Sequence, residues 1–314
     1  QKIIDLSGKW SFSIDRQDNG EKEKWFSHTL NDFINLPGSM PEKLKGDEVT
    51  AKTQWTGSLY DSSYYYNPYM EKYRKEGNIK FPFFLTPDKH YVGAAWYQKE
   101  VNIPADWKGE RILLFLERPH IETTVWVNGQ KTGMQNSLCV PHQYDITRYV
   151  RPGKCTITIR VDNRIKEINV GPDSHSITDQ TQGNWNGIVG RICLQTTPKT
   201  YFDDIQMYPE PEQKLARVKV VIKGTGTAKV KLSAESFNTD KKHIVPAIQQ
   251  EIKLNKGVTE TEMVLPMGND MLLWDEFHPA LYKLKAEVTN GKKTEIKEIQ
   301  FGMRRFEIKG KWFY

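Results

Sequence analysis

Residues 179–188 combine several hydrogen-bonding side chains with one large aromatic ring. Their carboxylate and amide groups offer donors and acceptors for the hydroxyl groups of a polar ligand. An indole can lie against the apolar face of such a ligand while its N–H bonds to a partner. The sequence therefore predicts a small polar binding site formed by Asp179, Gln180, Asn184, Trp185 and Asn186. The alternative is that Trp185 packs inward and the amides cap a tight turn at Gly187.

Signatures of catalysis and of metal binding are missing from the sequence. It contains no HExxH, GxSxG or phosphate-loop motif. The run Gly224-Thr225-Gly226 lacks the third glycine of a dinucleotide site. The adjacent carboxylates Asp275 and Glu276 point apart on a strand or loop, so we expect them in a surface loop beside a buried Trp274. The seven histidines are scattered, so the sequence assigns no catalytic residue, no metal site and no cofactor.

Basic residues outnumber acidic ones and give the 314-residue chain a formal net charge of +6. Lysines such as Lys219, Lys229 and Lys283 alternate with apolar residues, which places them on solvated strand faces. A nucleic-acid partner would need a basic stripe or a binding motif, and the sequence has neither. No segment approaches the roughly 18 continuous apolar residues of a membrane helix. Because the chain begins at Gln1 without a methionine, we expect an exported protein, periplasmic or extracellular.

The chain contains three cysteines, Cys139, Cys155 and Cys193. An odd, sparse set does not form a disulfide framework, and its spacing does not fit a metal site. The sequence predicts buried thiols and leaves one disulfide bond open.

Strand patterns run from one end of the chain to the other. Ile157, Ile159 and Val161 alternate with polar residues, which is the pattern of a half-buried antiparallel strand. Asn128-Gly129 and Asn290-Gly291 each follow a strand-like run and form the dipeptide favoured in tight hairpins. The sequence predicts an all-β fold with a hairpin at each of these dipeptides.

The length of the chain and a Pro-containing link at 196–200 predict two domains. Residues 1–198 suit a jelly-roll β-sandwich, and residues 199–306 suit an immunoglobulin-like β-sandwich. Residues 301–314 have the pattern of a last strand that leads onward, so we expect the chain to be a fragment in which residues 307–314 begin a link to a further domain.

Several separated segments resemble one enzyme family. They are Asp5-Leu-Ser-Gly-Lys-Trp-Ser-Phe12, Leu36-Pro-Gly38, Ala95-Trp-Tyr-Gln-Lys99, Ile103-Pro104 with Trp107, Val125-Trp-Val-Asn-Gly129, Tyr144-Asp-Ile-Thr147 and Val161-Asp-Asn163. Their order and spacing resemble the N-terminal, galactose-binding-like sandwich of glycoside hydrolase family 2, which includes β-galactosidases, β-glucuronidases and β-mannosidases. The later segments Leu273-Trp274, Pro279-Ala-Leu-Tyr282 and Phe301-Gly-Met-Arg304 resemble the family's immunoglobulin-like domain and the strand that enters its catalytic (β/α)8 barrel.

This resemblance implies a retaining exo-β-glycosidase that hydrolyses terminal β-galactosides or β-glucuronides in oligosaccharides. Such an enzyme needs two glutamates about 5–5.5 Å apart, which the barrel supplies, and these 314 residues do not contain them. We therefore expect an N-terminal, non-catalytic portion, inactive by itself, whose partners are the barrel of the same chain and a glycoside substrate. The alternative is a free-standing carbohydrate-binding or adhesion module.

In this family the loop corresponding to residues 179–188 reaches into the active site and hydrogen-bonds the terminal sugar. Family members often carry an acidic residue seven positions before the isoleucine that is Ile188 here. That position is Thr181 in this chain, and Asp179 lies two residues earlier. The resemblance thus implies sugar contact by the loop, while the departure leaves open which polar side chain makes it.

Two aromatic features of the first domain need a structural account. Residues 40–92 form a long, weakly periodic stretch, and it carries Tyr60, Tyr64, Tyr65, Tyr66, Tyr69 and Tyr73. Because such density of aromatics is atypical of disorder, we expect an ordered excursion. Trp126 lies between two valines and faces away from both. If the valines face the core, another segment covers Trp126, and the tyrosine-rich stretch is the expected cover; a sugar platform is the alternative.

Overall fold

The computed structural model describes residues 2–57, 62–81, 85–166, 174, 178–179 and 183–314. It divides the chain into a first unit, Lys2–Thr196, and a second unit, Thr197–Tyr314. Strands dominate both units, and the helices of the described residues are short 3-10 turns. None of these described helices is long and apolar enough to span a membrane. The all-β prediction is confirmed.

The described strands of the first unit alternate with a few 3-10 turns. The strands are β1 (Ile3–Asp5), β2 (Gly8–Asp15), β3 (Asp32–Leu36), β4 (Gly38–Ser39), β5 (Asp47–Glu48), β6 (Lys89–His90), β7 (Ala94–Ile103), β8 (Arg111–His120), β9 (Glu122–Val127), β10 (Gln130–Asn136), β11 (His142–Asp145), β12 (Gly153–Asp162) and β13 (Gly187–Thr197). The 3-10 turns are Trp25–Ser27, Ser62–Tyr65, Pro68–Tyr73, Ala105–Trp107 and Thr147–Tyr149.

Two main sheets form the sandwich of the first unit. One has six strands in the order β10-β9-β12-β7-β2-β3, and the other has the order β1-β13-β8-β11 with β4 paired to β13. Side chains from both sheets fill a single core, which includes Trp10, Tyr97, Leu114, Ile159 and Leu194. The loop predicted to bind a ligand leads directly into β13, so the core holds one end of that loop in place.

Strand β12 is covered on both faces, which corrects the half-buried strand that the sequence predicts. Ile157, Ile159 and Val161 face the core, while Thr158 and Arg160 on the opposite face are also buried. The alternation reports the polarity of each face, but it does not report whether another segment covers the polar one.

The polar face of this sheet is covered at Trp126, which is only 2% exposed. Its ring stacks on Phe26 with centroids 5.2 Å apart and on Trp96 with centroids 5.0 Å apart. Trp25 and Leu30 complete this small cluster. Trp126 is therefore covered as expected, but the assignment of the tyrosine-rich stretch as its cover was wrong. The segment between β2 and β3 folds back over the sheet and supplies the cover, so Trp126 is not open to a sugar.

The tyrosine-rich stretch forms a small core of its own. Tyr64 and Phe81 are buried with ring centroids 4.7 Å apart, and partly buried neighbours pack around them. Pairing of β5 with β6 closes the base of the excursion. Its order is confirmed for the described part, although Tyr65, Tyr66 and Tyr69 face solvent and Tyr60 lies outside the described residues.

The second unit is a sandwich of a three-stranded and a four-stranded sheet, with orders β14-β15-β18 and β17-β16-β19-β20. Its strands are β14 (Tyr201–Glu210), β15 (Leu215–Lys223), β16 (Gly226–Phe237), β17 (Ile244–Leu254), β18 (Val258–Pro266), β19 (Leu281–Asn290), β20 (Lys293–Phe301), β21 (Ile308–Lys309) and β22 (Trp312–Phe313), with a 3-10 turn at Pro211–Gln213. Three strands packed on four is the immunoglobulin-type arrangement, and one core lies between the sheets.

Both predicted hairpins are present. Asn128 and Gly129 join β9 to β10 with φ of 50° and 76°, as a tight turn of this kind requires. The second turn is shifted by one residue, because Asn290 pairs with Lys293 as the last residue of β19. Its side chain donates to Thr200 Oγ1 and to the Thr225 carbonyl, which holds Asn290 in the strand.

Two smaller predictions are corrected. All three cysteines are free thiols, and Cys139 is exposed whereas Cys155 and Cys193 are buried; burial raises the pKa of Cys155 to about 11. Trp274 is half-buried rather than buried, and the charged Arg304 guanidinium lies over its ring, 4.6 Å from the ring centroid. Asp275 Oδ1 accepts hydrogen bonds from the main-chain N–H of the two residues at 277 and 278, as expected for a surface loop.

Gly187 is expected to be essential for the start of β13. Its φ is +146°, and an added Cβ would lie 2.5 Å from the Gly38 carbonyl oxygen and 2.8 Å from Ser39 Cα. Gly187→Ala should lower the free energy of unfolding by about 3 kcal/mol or more, since backbone atoms cannot move aside. Urea unfolding followed by tryptophan fluorescence measures this change, because all tryptophans except Trp274 and Trp312 lie in the first unit.

The matched control is Gly153→Ala, at a φ of +110° with no atom within 4 Å of the added Cβ. It should lose only the conformational term of about 1–2 kcal/mol. Equal losses in the two variants would show that the close approach to β4 does not matter.

Candidate functional site

The predicted ligand loop is tied down at the point where it enters β13. Gly187 and Ile188 pair with Ser39 and Gly38 of β4. The Asn186 carbonyl accepts a hydrogen bond of 2.8 Å from the main-chain N–H of Met40. Of the five predicted site residues, the structure describes four, and Gln180 lies outside the described residues.

Asp179 is 1% exposed, and its carboxylate is engaged within the protein. Oδ2 accepts from the Thr56 main-chain N–H at 2.7 Å and lies 3.2 Å from His90 Nε2. Oδ1 accepts from the main-chain N–H of Asn184 at 2.7 Å. One buried carboxylate therefore joins the loop to the tyrosine-rich excursion and to strand β6.

Asn184 is bonded to Asn163, the first residue after β12. Asn163 Nδ2 donates to Asn184 Oδ1 at 3.0 Å, and Asn184 Nδ2 donates to the Asn163 carbonyl at 3.0 Å. The Asn163 side chain also accepts from Gly93 N at 2.8 Å and donates to the Tyr91 carbonyl at 2.8 Å. This reciprocal pair fixes the loop to two neighbouring strand ends.

Asn186 is buried completely and bonded on all sides. Its Oδ1 accepts from the Tyr97 hydroxyl at 2.7 Å. Its Nδ2 donates to the carbonyls of Gly93 and Val161 at 2.9 and 3.0 Å. Both amide donors of this side chain are therefore used inside the sandwich.

The side chains of Asp179, Asn184 and Asn186 thus hold the loop backbone in its course, as the turn-capping alternative expects. Their proposed contact with sugar stays a prediction. The partners His90, Asn163 and Tyr97 are far away in sequence, and no spacing indicates them. The only signals for any of them are the Ala95-Trp-Tyr-Gln-Lys99 and Val161-Asp-Asn163 segments, to whose individual residues the sequence assigns no role.

Trp185 differs from its neighbours, because its side chain is half-buried. One face of the indole stacks on the imidazole of His120, with ring centroids 4.6 Å apart and 27° between the planes. Among the described residues its N–H has no hydrogen-bond partner. An apolar face with a free donor suits a hydroxylated ring.

His120, the last residue of β8, was not predicted as a site residue. It is 3% exposed, and burial lowers its pKa from 6.5 to about 4, although its hydrogen bond with the Trp185 main chain and the nearby Asp179 carboxylate oppose the shift. The imidazole beside Trp185 is therefore neutral at pH 7. No sequence pattern marks this histidine, since its partner lies 65 residues away.

A compact cluster of ion pairs lies at the ends of β9 and β12. Burial raises the pKa of Asp162, but hydrogen bonds from Arg164 and Lys166 outweigh burial and hold that pKa well below its usual range. The three cations and three anions of the cluster are Arg160, Arg164, Lys166, Asp18, Glu122 and Asp162. Since these formal charges cancel, the cluster presents no net positive charge to an anionic ligand.

The described residues give no indication of a metal site. Within the described ranges, no three His, Cys, Asp or Glu side chains are grouped so that they could hold a metal ion.

The fold defines an all-β protein of two successive sandwiches, the first of which carries a fixed polar loop with a half-exposed tryptophan. The chain belongs to glycosyl hydrolase family 2. The family's sugar binding domain matches residues 3–198, and a second domain of glycosyl hydrolases family 2 matches residues 200–304.

Three relatives are similar to this chain over almost its whole length. A β-glucuronidase of Paenibacillus borealis is 23% identical over 100% of this chain and 47% of its own length. The human β-glucuronidase is 24% identical over 99% of this chain and 47% of its own, and a β-galactosidase of Clostridium acetobutylicum is 24% identical over 98% and 31%. The chain spans about half the length of the two β-glucuronidases and about a third of the length of the β-galactosidase.

A solved structure has the same fold. The crystal structure of Ruminococcus gnavus β-glucuronidase superposes with a TM-score of 0.64 at 18% sequence identity, covering 100% of this chain and 46% of that one.

Removal of the Asn163 side chain should destabilise the first unit strongly. Asn163→Ala leaves Gly93 N, the Tyr91 carbonyl and Asn184 Oδ1 without their buried partner. With each unsatisfied group costing about 1–3 kcal/mol, we expect a loss of about 3 kcal/mol or more in the free energy of unfolding. Asn136→Ala is the control, because the Asn136 side-chain oxygen has no partner to lose; a similar loss in both variants would contradict the assignment.

His120 should make the stability of the first unit depend on pH. Its pKa is lower in the folded chain, about 4 against 6.5, so between these values the unfolded chain binds more protons and stability falls as the pH falls. From pH 7.5 to 4.5 this one group should remove about 2–3 kcal/mol. Urea unfolding at both pH values should show a correspondingly smaller loss in His120→Phe, and parallel losses in the two proteins would refute this role.

Proposed function

We propose that this chain is the N-terminal, non-catalytic portion of a retaining exo-β-glycosidase, which hydrolyses terminal β-galactosides or β-glucuronides in oligosaccharides. The observation that carries the proposal is the match of both units, in order, to domains of family 2 over residues 3–198 and 200–304. The names of the relatives and their roughly twofold greater length support it. The two glutamates of the reaction lie in the remainder of such an enzyme, so the 314 residues alone are inactive.

Within that enzyme, the loop of residues 179–188 forms part of the sugar site. Trp185 contributes the direct contact, which is supported by its partial exposure and by an N–H that has no hydrogen-bond partner among the described residues. Asp179, Asn184 and Asn186 act on the sugar through the backbone that they hold, since their side chains are bonded inside the protein.

The choice between galactoside and glucuronide is assigned to the rest of the enzyme. A glucuronide differs from a galactoside by a carboxylate, which a free cation would recognise. The cations of the ion-pair cluster at the end of β12, Arg164 and Lys166, are already paired with Asp162. Among the described residues, these two cations are therefore not free to make the distinction.

The test is to read the coding sequence beyond Tyr314 and to assay the complete gene product on aryl β-galactosides and aryl β-glucuronides. Hydrolysis by the complete product, with none by the 314-residue chain, is the expected result. Hydrolysis by the 314-residue chain would refute its non-catalytic role. A stop codon after Tyr314, together with sugar affinity of the chain in titration calorimetry, would favour the free-standing binding module.

In the complete enzyme, Trp185→Leu should raise KM for the aryl glycoside preferred by the wild type. Loss of one aromatic contact corresponds to about a two- to twelvefold increase, whereas kcat should change less because an apolar ring contact binds the substrate and the transition state alike. Trp126→Phe serves as the comparison. Because Trp126 is buried, the KM of this variant should equal that of the wild type. An unchanged KM in Trp185→Leu would remove Trp185 from the sugar site.

A further inference from the structure

His120 is a buried histidine whose ring is only partly used in hydrogen bonding, because it bonds to the Trp185 main chain but not through both nitrogens. The structure places its Nδ1 in the interior without a hydrogen-bond partner among the described residues. Two other buried histidines of the first unit are bonded through their rings: His142 to Thr123 Oγ1 and the Ser137 carbonyl, and His90 to Asp179. A buried nitrogen without a partner is costly, so another benefit must keep an imidazole here.

That benefit is contact with Trp185. Strands β8 and β13 are neighbours in one sheet, so the end of β8 lies beside the residues that precede β13. Asn184 and Asn186 fix the backbone on either side of Trp185, but they do not fix the rotation of its indole. The His120 ring, stacked at 4.6 Å, is the described contact that can restrict this rotation.

We propose that His120 is a positioning residue, which holds the indole of Trp185 as an apolar wall for the ring of a terminal pyranose. The inference rests on the proposed function and extends it to a residue that does not touch the sugar. A flat imidazole can stack on part of the indole face, and in its neutral form it does so without burying a charge. An aliphatic side chain would fill the volume and leave the indole free to turn.

The experiment compares steady-state kinetics of variants of the complete enzyme on its preferred aryl glycoside. His120→Leu should raise KM by about two- to twelvefold, the value of one aromatic pair, with kcat within about twofold of the wild type. His120→Phe restores ring stacking and should recover most of that loss. The double variant His120→Leu/Trp185→Leu should have the KM of Trp185→Leu alone, because His120 acts only through Trp185.

The matched control is His142→Leu, another buried histidine of the same unit that bonds to Thr123 and Ser137 rather than to the loop. It should lose stability and keep the wild-type KM. Thermal unfolding of each variant separates loss of folding from loss of binding. If His120→Leu does not fold, His120→Ile, which also lacks a flat ring, replaces it in the wild-type and Trp185→Leu backgrounds.

The outcomes distinguish this inference from the proposed function. A folded His120→Leu enzyme with wild-type KM, or effects of His120→Leu and Trp185→Leu that multiply, would overturn the positioning role and leave the glycosidase proposal intact. A complete wild-type protein that neither binds nor hydrolyses any of the glycosides would overturn both.

Discussion

The loop before β13 depends on one constraint: a polar group that loses water on burial must find a partner in the protein. Asp179, Asn163, Asn184 and Asn186 are all buried, and each is bonded to main-chain groups from another part of the chain. Each such bond fixes two segments at once. The carboxylate and the amides therefore determine the path of the loop, and the half-buried Trp185 is presented as a consequence.

The same constraint separates two roles that the sequence cannot tell apart. Amide and carboxylate side chains are equally suited to binding a hydroxylated ligand and to holding a turn. In this structure the polar residues hold the loop, and the aromatic residue is left half open. His120 follows the same pattern, because it is buried and stacks on the half-exposed indole of Trp185. The position of the exposed indole thus depends on buried contacts beneath the surface.

Packing of aromatic rings organises the first unit on both sides of its larger sheet. One face belongs to the main core, and the other is closed by the cluster of Trp25, Phe26, Trp96 and Trp126. Both faces are apolar at several points, so neither could be left in water without a large cost. The enclosed sheet gives β12 and β7 fixed ends, and Asn163 and Gly93, which bond to the loop, lie at those ends.

Three kinds of local pattern were sufficient to predict two β-sandwiches: the alternation of apolar and polar residues in β15 and β19, the Asn128-Gly129 turn and the spaced family segments. They were sufficient because strand periodicity and turn geometry depend on neighbouring residues. The sequence also indicated the loop that carries Trp185. It could not indicate that Phe26 covers Trp126, that Asn163 bonds to Asn184, or that His120 stacks on Trp185. These pairs are 100, 21 and 65 residues apart, and only the tertiary structure brings them together, since contact across sheets follows from how strands pack and not from their order.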